Sequence, residues 1–158
     1  MTHSRHRRLW PGLLLMVALA VVSCNRKAVY SHYRHTPING WEKNDTLTFD
    51  VRPLTEDAAL REEVGLRIND AYPFMGLCLI VEQTVFPSCS RRTDTLNCSL
   101  IDPSGNVKGR GISYYQYNFH LTSQQLYAGD SLHICVRHNM KREILPGIAD
   151  IGILLEKQ

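Results

Sequence analysis

A chain of 158 residues, 44% of them apolar, is long enough for one domain with its own core and too short for several. Its formal charge of +3 comes from 18 basic and 15 acidic residues, and three of the basic ones, Arg5, Arg7 and Arg8, lie in the first 23 positions, where no acidic residue answers them. Beyond position 23 the charges cancel, so the clustered basic surplus of a nucleic-acid binder is absent and no nucleic-acid partner is expected.

The basic start runs into an uncharged apolar stretch of ten residues, Leu13 to Val22. A membrane-spanning helix needs about 20 such residues, so this stretch has the size and flanks of a secretory signal. Val21, Val22 and Ser23 lead directly into Cys24, which matches the bacterial lipobox. In that pathway the Cys24 thiol becomes a thioether to diacylglycerol, the peptide is cut before it, and the new amine is acylated. Each buried methylene contributes about 0.8 kcal/mol, and two or more chains hold a protein stably at a membrane. Residues 1–23 are therefore expected to be a lipoprotein signal peptide and Cys24 the site of lipidation. Position 25 is Asn rather than the Asp of inner-membrane retention, and Arg26 and Lys27 are basic. The expected location is the outer membrane, lipid-anchored and facing the periplasm.

Residues 24–43, polar and broken by Pro37 and Gly40, read as a tether, which leaves residues 44–158 for the folded domain. With Cys24 assigned to lipid, Cys78, Cys89, Cys98 and Cys135 remain, an even number that permits disulfides in an oxidising compartment. A hairpin centred near Ser88 would set Cys78 opposite Cys98, the preferred single bridge. Buried free thiols are the alternative.

From Asp45 onward two-residue alternation dominates, as in strands with one face on a core. Leu47, Phe49 and Val51 alternate with Thr46, Thr48 and Asp50 until Pro53. The stretch "EDAALREE" contains good helix formers and predicts a helical turn or loop, with a strand following through Val64, Leu66 and Ile68. "LCLIVEQTVF" is nearly continuous in apolar character, as a central strand buried on both faces would be. A turn at Phe86 to Ser88 precedes a return strand carrying Leu96, Cys98 and Leu100 on one side, and "DPSGN" is a plain turn. Strands follow in "ISYYQYNFHL", in "SLHICVRH" and, after the breaker pair Pro146 and Gly147, in "IADIGILLEK". About seven or eight strands at this spacing predict an all-β chain, an antiparallel β-sandwich of Ig-like or jelly-roll-like kind.

No catalytic or metal-binding constellation stands out in the sequence. His133, Cys135 and His138 are close in sequence, but on a strand His138 points away from the other two, and no second cluster completes a tetrahedral set. There is no G-x-S-x-G elbow. A non-enzymatic protein with no metal and no cofactor is expected. Tyr114, Tyr115 and Tyr117 with Trp41 could form an aromatic platform, which makes a glycan-binding module the second reading.

An ordered set of features resembles the gliding-motility lipoprotein family GldH of Bacteroidota. The matching residues are Cys24, Tyr30 and Tyr33, Trp41 and Asp45 in "WEKNDTLTF", Arg67, and "YPF" at 72–74. They continue through "DTLNCSL", "DP" with Gly105, Gly109 and Gly111, and the closing "MKREILPGIADIGILLEK". The resemblance covers essentially the whole chain after Cys24, and Gly76 departs from it where Asn is usual. It implies an envelope lipoprotein needed by a gliding machinery and linked with the type IX secretion apparatus, and it brings no catalytic residue or cofactor. The expected function is thus an accessory component of such an assembly, docking on an envelope protein partner. Arg67, Tyr72, Pro73, Phe74, Pro146 and Gly147 are the candidate contact residues.

Overall fold

A computed structural model describes residues 27–158; the expected signal peptide and Cys24 lie outside the described residues. The strands are β1 (Ala28–His35), β2 (Trp41–Glu42), β3 (Leu47–Val51), β4 (Ala58–Asn69), β5 (Gly76–Phe86), β6 (Ser90–Ser99), β7 (Tyr114–Leu126), β8 (Ser131–His138), β9 (Ile144–Leu145) and β10 (Ile148–Lys157). They form one four-stranded sheet in the order β1-β10-β4-β7, a second in the order β3-β8-β5-β6, and a two-stranded pair β2-β9. Every pairing is antiparallel, and the result is the expected β-sandwich, with eight long strands and two short ones.

The core follows from alternation. Leu60, Val64 and Leu66 of β4 and Ile151, Ile153 and Leu155 of β10 point inward from the first sheet. They meet Phe49 of β3, Leu79 and Val81 of β5, and Ile134 and Val136 of β8, all without exposed surface. Apolar burial of this kind contributes about 25 cal/mol per Å² and is what sets the register, since a slip of one residue would turn each row out to water.

Three expectations are corrected. "EDAALREE" contains no helical turn: Glu56 and Asp57 stay in the turn before β4, and from Ala58 the stretch is the first half of that strand. There it is paired on both sides, to β7 and β10, with Ala58, Leu60 and Glu62 inward, so tertiary pairing overrides local propensity. The residues expected to tether the domain belong to it from Ala28 onward. β1 pairs with β10 over most of its length, and Trp41 is fully buried, its indole donating to the Asp45 carbonyl at 3.0 Å. β5 is not buried on both faces: Leu77, Leu79 and Val81 are buried, and Cys78 and Ile80 on its other face are half-buried.

Cys78 and Cys98 form no disulfide, and the four described cysteines are free thiols. The β5–β6 register sets Cys98 opposite Leu77 and Cys78 opposite Asn97. That one-residue offset turns the two side chains to opposite faces, Cys98 into the core and Cys78 outward.

Candidate functional site

Strand direction sorts the connections into two ends. The loops 36–46, 70–75, 100–113 and 139–147 all cap one end of the sandwich. The turns 52–57, 87–89 and 127–130 cap the other, with both ends of the described chain beside them. The loops of the first end are stitched together through their backbones. The Asn69 amide donates to Gly147 O at 2.8 Å, Leu100 to Met75 O at 3.0 Å, and Lys43 to Glu143 O at 2.8 Å. At the opposite end the Lys157 amide donates to Lys27 O at 2.8 Å, which places the start of β1 there.

All six candidate contact residues lie at or near the loop-bearing end, and most of them serve the fold. Tyr72 is buried, its hydroxyl donating to Gly76 O at 2.8 Å and its ring edge-on to Phe74 at 5.6 Å between centroids. Burial pushes the Tyr72 phenol well above its ordinary range, so it stays a neutral donor. Gly147, at φ +79°, lies against the Tyr72 backbone, where a Cβ would collide with the Tyr72 nitrogen. Pro146 is half-buried beside it, and Pro73 is exposed.

Arg67 belongs to the outer face of the first sheet. Its guanidinium carbon lies 4.5 Å from the centre of the Tyr33 ring, its Nη1 is 3.7 Å from Asp150 Oδ2, and its Nε donates to Gln116 Oε1 at 3.4 Å. The Tyr33 ring lies flat over Gly65 and Gly152, which face each other across the β4–β10 ladder; a Cβ on either would strike it. Burial of that ring raises the Tyr33 phenol above its usual range, with the nearby Arg67 charge opposing the shift. His35 completes this cluster by pairing with Asp150.

Apart from Tyr114, the residues that sequence reasoning passed over are the exposed apolar ones at the same end. Ile38 is fully exposed, Ile112 is 92% exposed, and Met75, Val107, Tyr114 and Ile144 each show between 44% and 69% of their surface. Four of the six are loop residues, and Tyr114 and Ile144 begin their strands. The available signal was a branched apolar residue set among turn formers, as in "TPING" and "GRGIS". A cleft of about 670 Å³ opens beside them between β6 and β7, lined by Ser99, Lys108, Arg110 and residues 116–119.

The proposed aromatic platform does not assemble. Trp41 and Tyr117 are buried, Tyr115 lies on the inward face with Tyr117, and only Tyr114 is exposed, on the opposite side of the strand. His138 is also buried, as strand alternation predicts. Its Nε2 lies 3.2 Å from the Trp41 carbonyl, its Nδ1 accepts from the Met140 amide at 3.4 Å, and burial lowers its affinity for a proton. Among the described residues no group of three or more His, Cys, Asp or Glu is placed to hold a metal ion. Among the described residues no helix is long and apolar enough to cross a membrane.

Comparison with known proteins fixes the family. Residues 28–155 match the family model for the GldH lipoprotein. The chain belongs to the GldH lipoprotein family. The gliding motility lipoprotein GldH of Flavobacterium johnsoniae is 31% identical to it, over 93% of this chain and 96% of that protein. Among solved structures, the chain is similar to a CocE/NonD family hydrolase from Staphylococcus aureus at 11% identity and a TM-score of 0.42, covering 84% of this chain and 34% of that one. An Eiger TNF structure from S. frugiperda aligns at 12% identity and a TM-score of 0.32, covering 84% and 94%. As a GldH family member the chain is a gliding-motility-associated lipoprotein of the cell envelope.

Proposed function

We propose that this GldH lipoprotein is a non-enzymatic accessory component of a gliding-motility and secretion-associated envelope assembly, held at the membrane by lipid on Cys24 and docking through its loop-bearing end on an envelope protein. The observation that carries the reading is the polarity of the domain. Lys27, only three residues beyond Cys24, lies at the end opposite Ile38, Met75 and Ile112. Three residues span at most about 11 Å, so a lipid on Cys24 keeps the end that carries Lys27 close to the bilayer. Ten-residue strands rise about 33 Å, which lifts the apolar loop residues clear of the lipid headgroups and presents them to a protein. Exposed apolar side chains gathered at one end and rimmed by polar residues fit a protein contact. The outer membrane, with the domain facing the periplasm, is the setting this reading assigns.

The test is a mild-detergent pull-down of the full-length tagged protein from its native envelope, compared with Cys24→Ala. The reading expects envelope proteins that co-purify with the wild type and are lost when the anchor is removed. Recovery of the lipoprotein alone would contradict it.

A further inference from the structure

The outer face of the second sheet carries a group of side chains that the docking reading does not use. In the β3–β8 and β5–β8 registers Asp50 and Thr84 flank His133, and Thr48 and Glu82 flank Cys135 one row away. His133 Nδ1 lies 2.6 Å from Asp50 Oδ1, and His133 Nε2 lies 3.3 Å from Cys135 Sγ. A carboxylate on Nδ1 fixes the proton there and turns the Nε2 lone pair toward the thiol, the order of orienting group, base and nucleophile that activates cysteine. Cys135 and His133 both line a small cleft of about 120 Å³, closed on its far side by Arg91 and Thr93 of β6. The thiol is therefore within reach of a small group and not sealed in the core.

The charged groups around it decide how it reacts. Glu82 from β5 and Asp50 from β3 face Cys135, while Arg137 of β8 is engaged with Glu82 at 3.4 Å and Arg91 stands across the cleft. Burial first, then the Glu82 and Asp50 charges, raise the Cys135 thiol above its ordinary range. A standing thiolate is thus disfavoured, and a high-affinity thiol is also the stronger nucleophile once its proton is removed. Acyl transfer would need donors aimed at a developing oxyanion, and the backbone amides of this face are committed to the ladder. Attack on a disulfide develops no oxyanion and needs only the base.

We propose that Cys135, with His133 as general base and Asp50 as its positioning residue, is a thiol–disulfide exchange site for an exposed disulfide. As Sγ attacks one sulfur of R–S–S–R′, its proton passes to His133 Nε2, the Cys135–S–S–R bond forms and the old S–S bond breaks. The departing sulfur takes the proton back from His133 and leaves as R′SH. Cys135 is oxidised and the leaving sulfur reduced, so the disulfide itself is the oxidant.

The experiment treats the detergent-solubilised full-length protein with cystamine and follows each cysteine by peptide mass spectrometry. Exposed Cys89, which has no histidine within hydrogen-bond reach among the described residues, is the internal reference. Cys135 is expected to form its adduct at neutral pH about ten-fold faster than Cys89, less than the roughly 10²–10⁴-fold a positioned base supplies because burial and the Glu82 and Asp50 charges hold the thiol's proton. Its rate should depend on the base at position 133 and not on thiol ionisation alone. In His133→Gln the rate should fall about ten-fold and instead track thiol ionisation, with a smaller fall in Asp50→Asn. Non-reducing gels of native envelopes then separate the sources: a Cys135-dependent band of higher mass indicates a protein disulfide, and a small added mass on Cys135 indicates a low-molecular-weight one. Equal rates at Cys135 and Cys89, or an unchanged rate in His133→Gln, would overturn the proposal.

Discussion

Gly147 lies against the backbone nitrogen of Tyr72 at a φ of +79°, and this contact joins the turn before β10 to the loop after β4. A side chain at 147 would both strain the backbone and push the two loops apart. Left-handed strain in a non-glycine residue costs about 1–3 kcal/mol, and the collision adds to it. Gly147→Ala is therefore expected to destabilise the domain by at least about 2 kcal/mol, read as a lower denaturation midpoint with little change in slope.

Trp41 tests whether the segment before residue 44 is part of the fold. It is fully buried and packs edge-on against the equally buried His138 at 5.3 Å. Removing a buried indole costs about 3–5 kcal/mol, so Trp41→Ala should leave little cooperative unfolding. A chain starting at residue 27 should keep the wild-type transition, and one starting at residue 44, without β1 and β2, should not fold.

Glu62 gives a pH prediction. It is buried between the sheets, accepts from Gln83 Nε2 at 2.9 Å, and has one carboxylate oxygen without a partner among the described residues. Burial, opposed by the Gln83 hydrogen bond, pushes its carboxyl up to about 7. The folded state therefore holds this proton more tightly than the unfolded chain, whose carboxyl titrates near the ordinary 4.5. Glu62 contributes most favourably below pH 4.5, and that contribution is lost as pH rises to about 7. Glu62→Gln, which cannot ionise, should melt higher than the wild type at pH 8, and the difference should shrink steadily toward pH 5. A constant difference across that range would contradict the assignment.

Ile38 and Ile112 separate docking from folding. Both are exposed loop residues, so Ile38→Asp and Ile112→Asp should change stability by no more than about 0.5 kcal/mol. Together they should abolish recovery of the envelope partner in the pull-down while the protein remains membrane-bound.

Much of this fold is legible in the sequence because alternation reports burial directly. Leu47 to Val51 and Leu96 to Leu100 take the faces that their spacing predicts, and the closing "IADIGILLEK" is a strand as expected. Legibility fails where a distant partner decides. Nothing local in "EDAALREE" announces two flanking strands, and Glu62 inside the sandwich breaks the pattern that would have revealed one. β1 alternates weakly because its outer row rests on Gly65 and Gly152, visible only once the sheet is assembled. The same holds at the candidate site. Tyr72 and Gly147 are noticeable in sequence because the fold needs them, whereas Ile38 and Ile112 carry only the faint signal of apolar residues in loops. Strand alternation correctly sets His133 and Cys135 on one face, but Asp50 joins them only through the β3–β8 register.

In the proposed arrangement the loop-bearing end meets a protein while the other end faces the membrane. Site-specific photo-crosslinking in the native envelope tests it most directly, with the probe placed at Ile112 or Ile38 in one set and at Tyr127, an exposed residue of the opposite end, in the other. Crosslinks are expected from Ile112 and Ile38 to the same envelope protein and none to it from Tyr127. Crosslinks to that protein from Tyr127 with none from the loop-bearing end would contradict it.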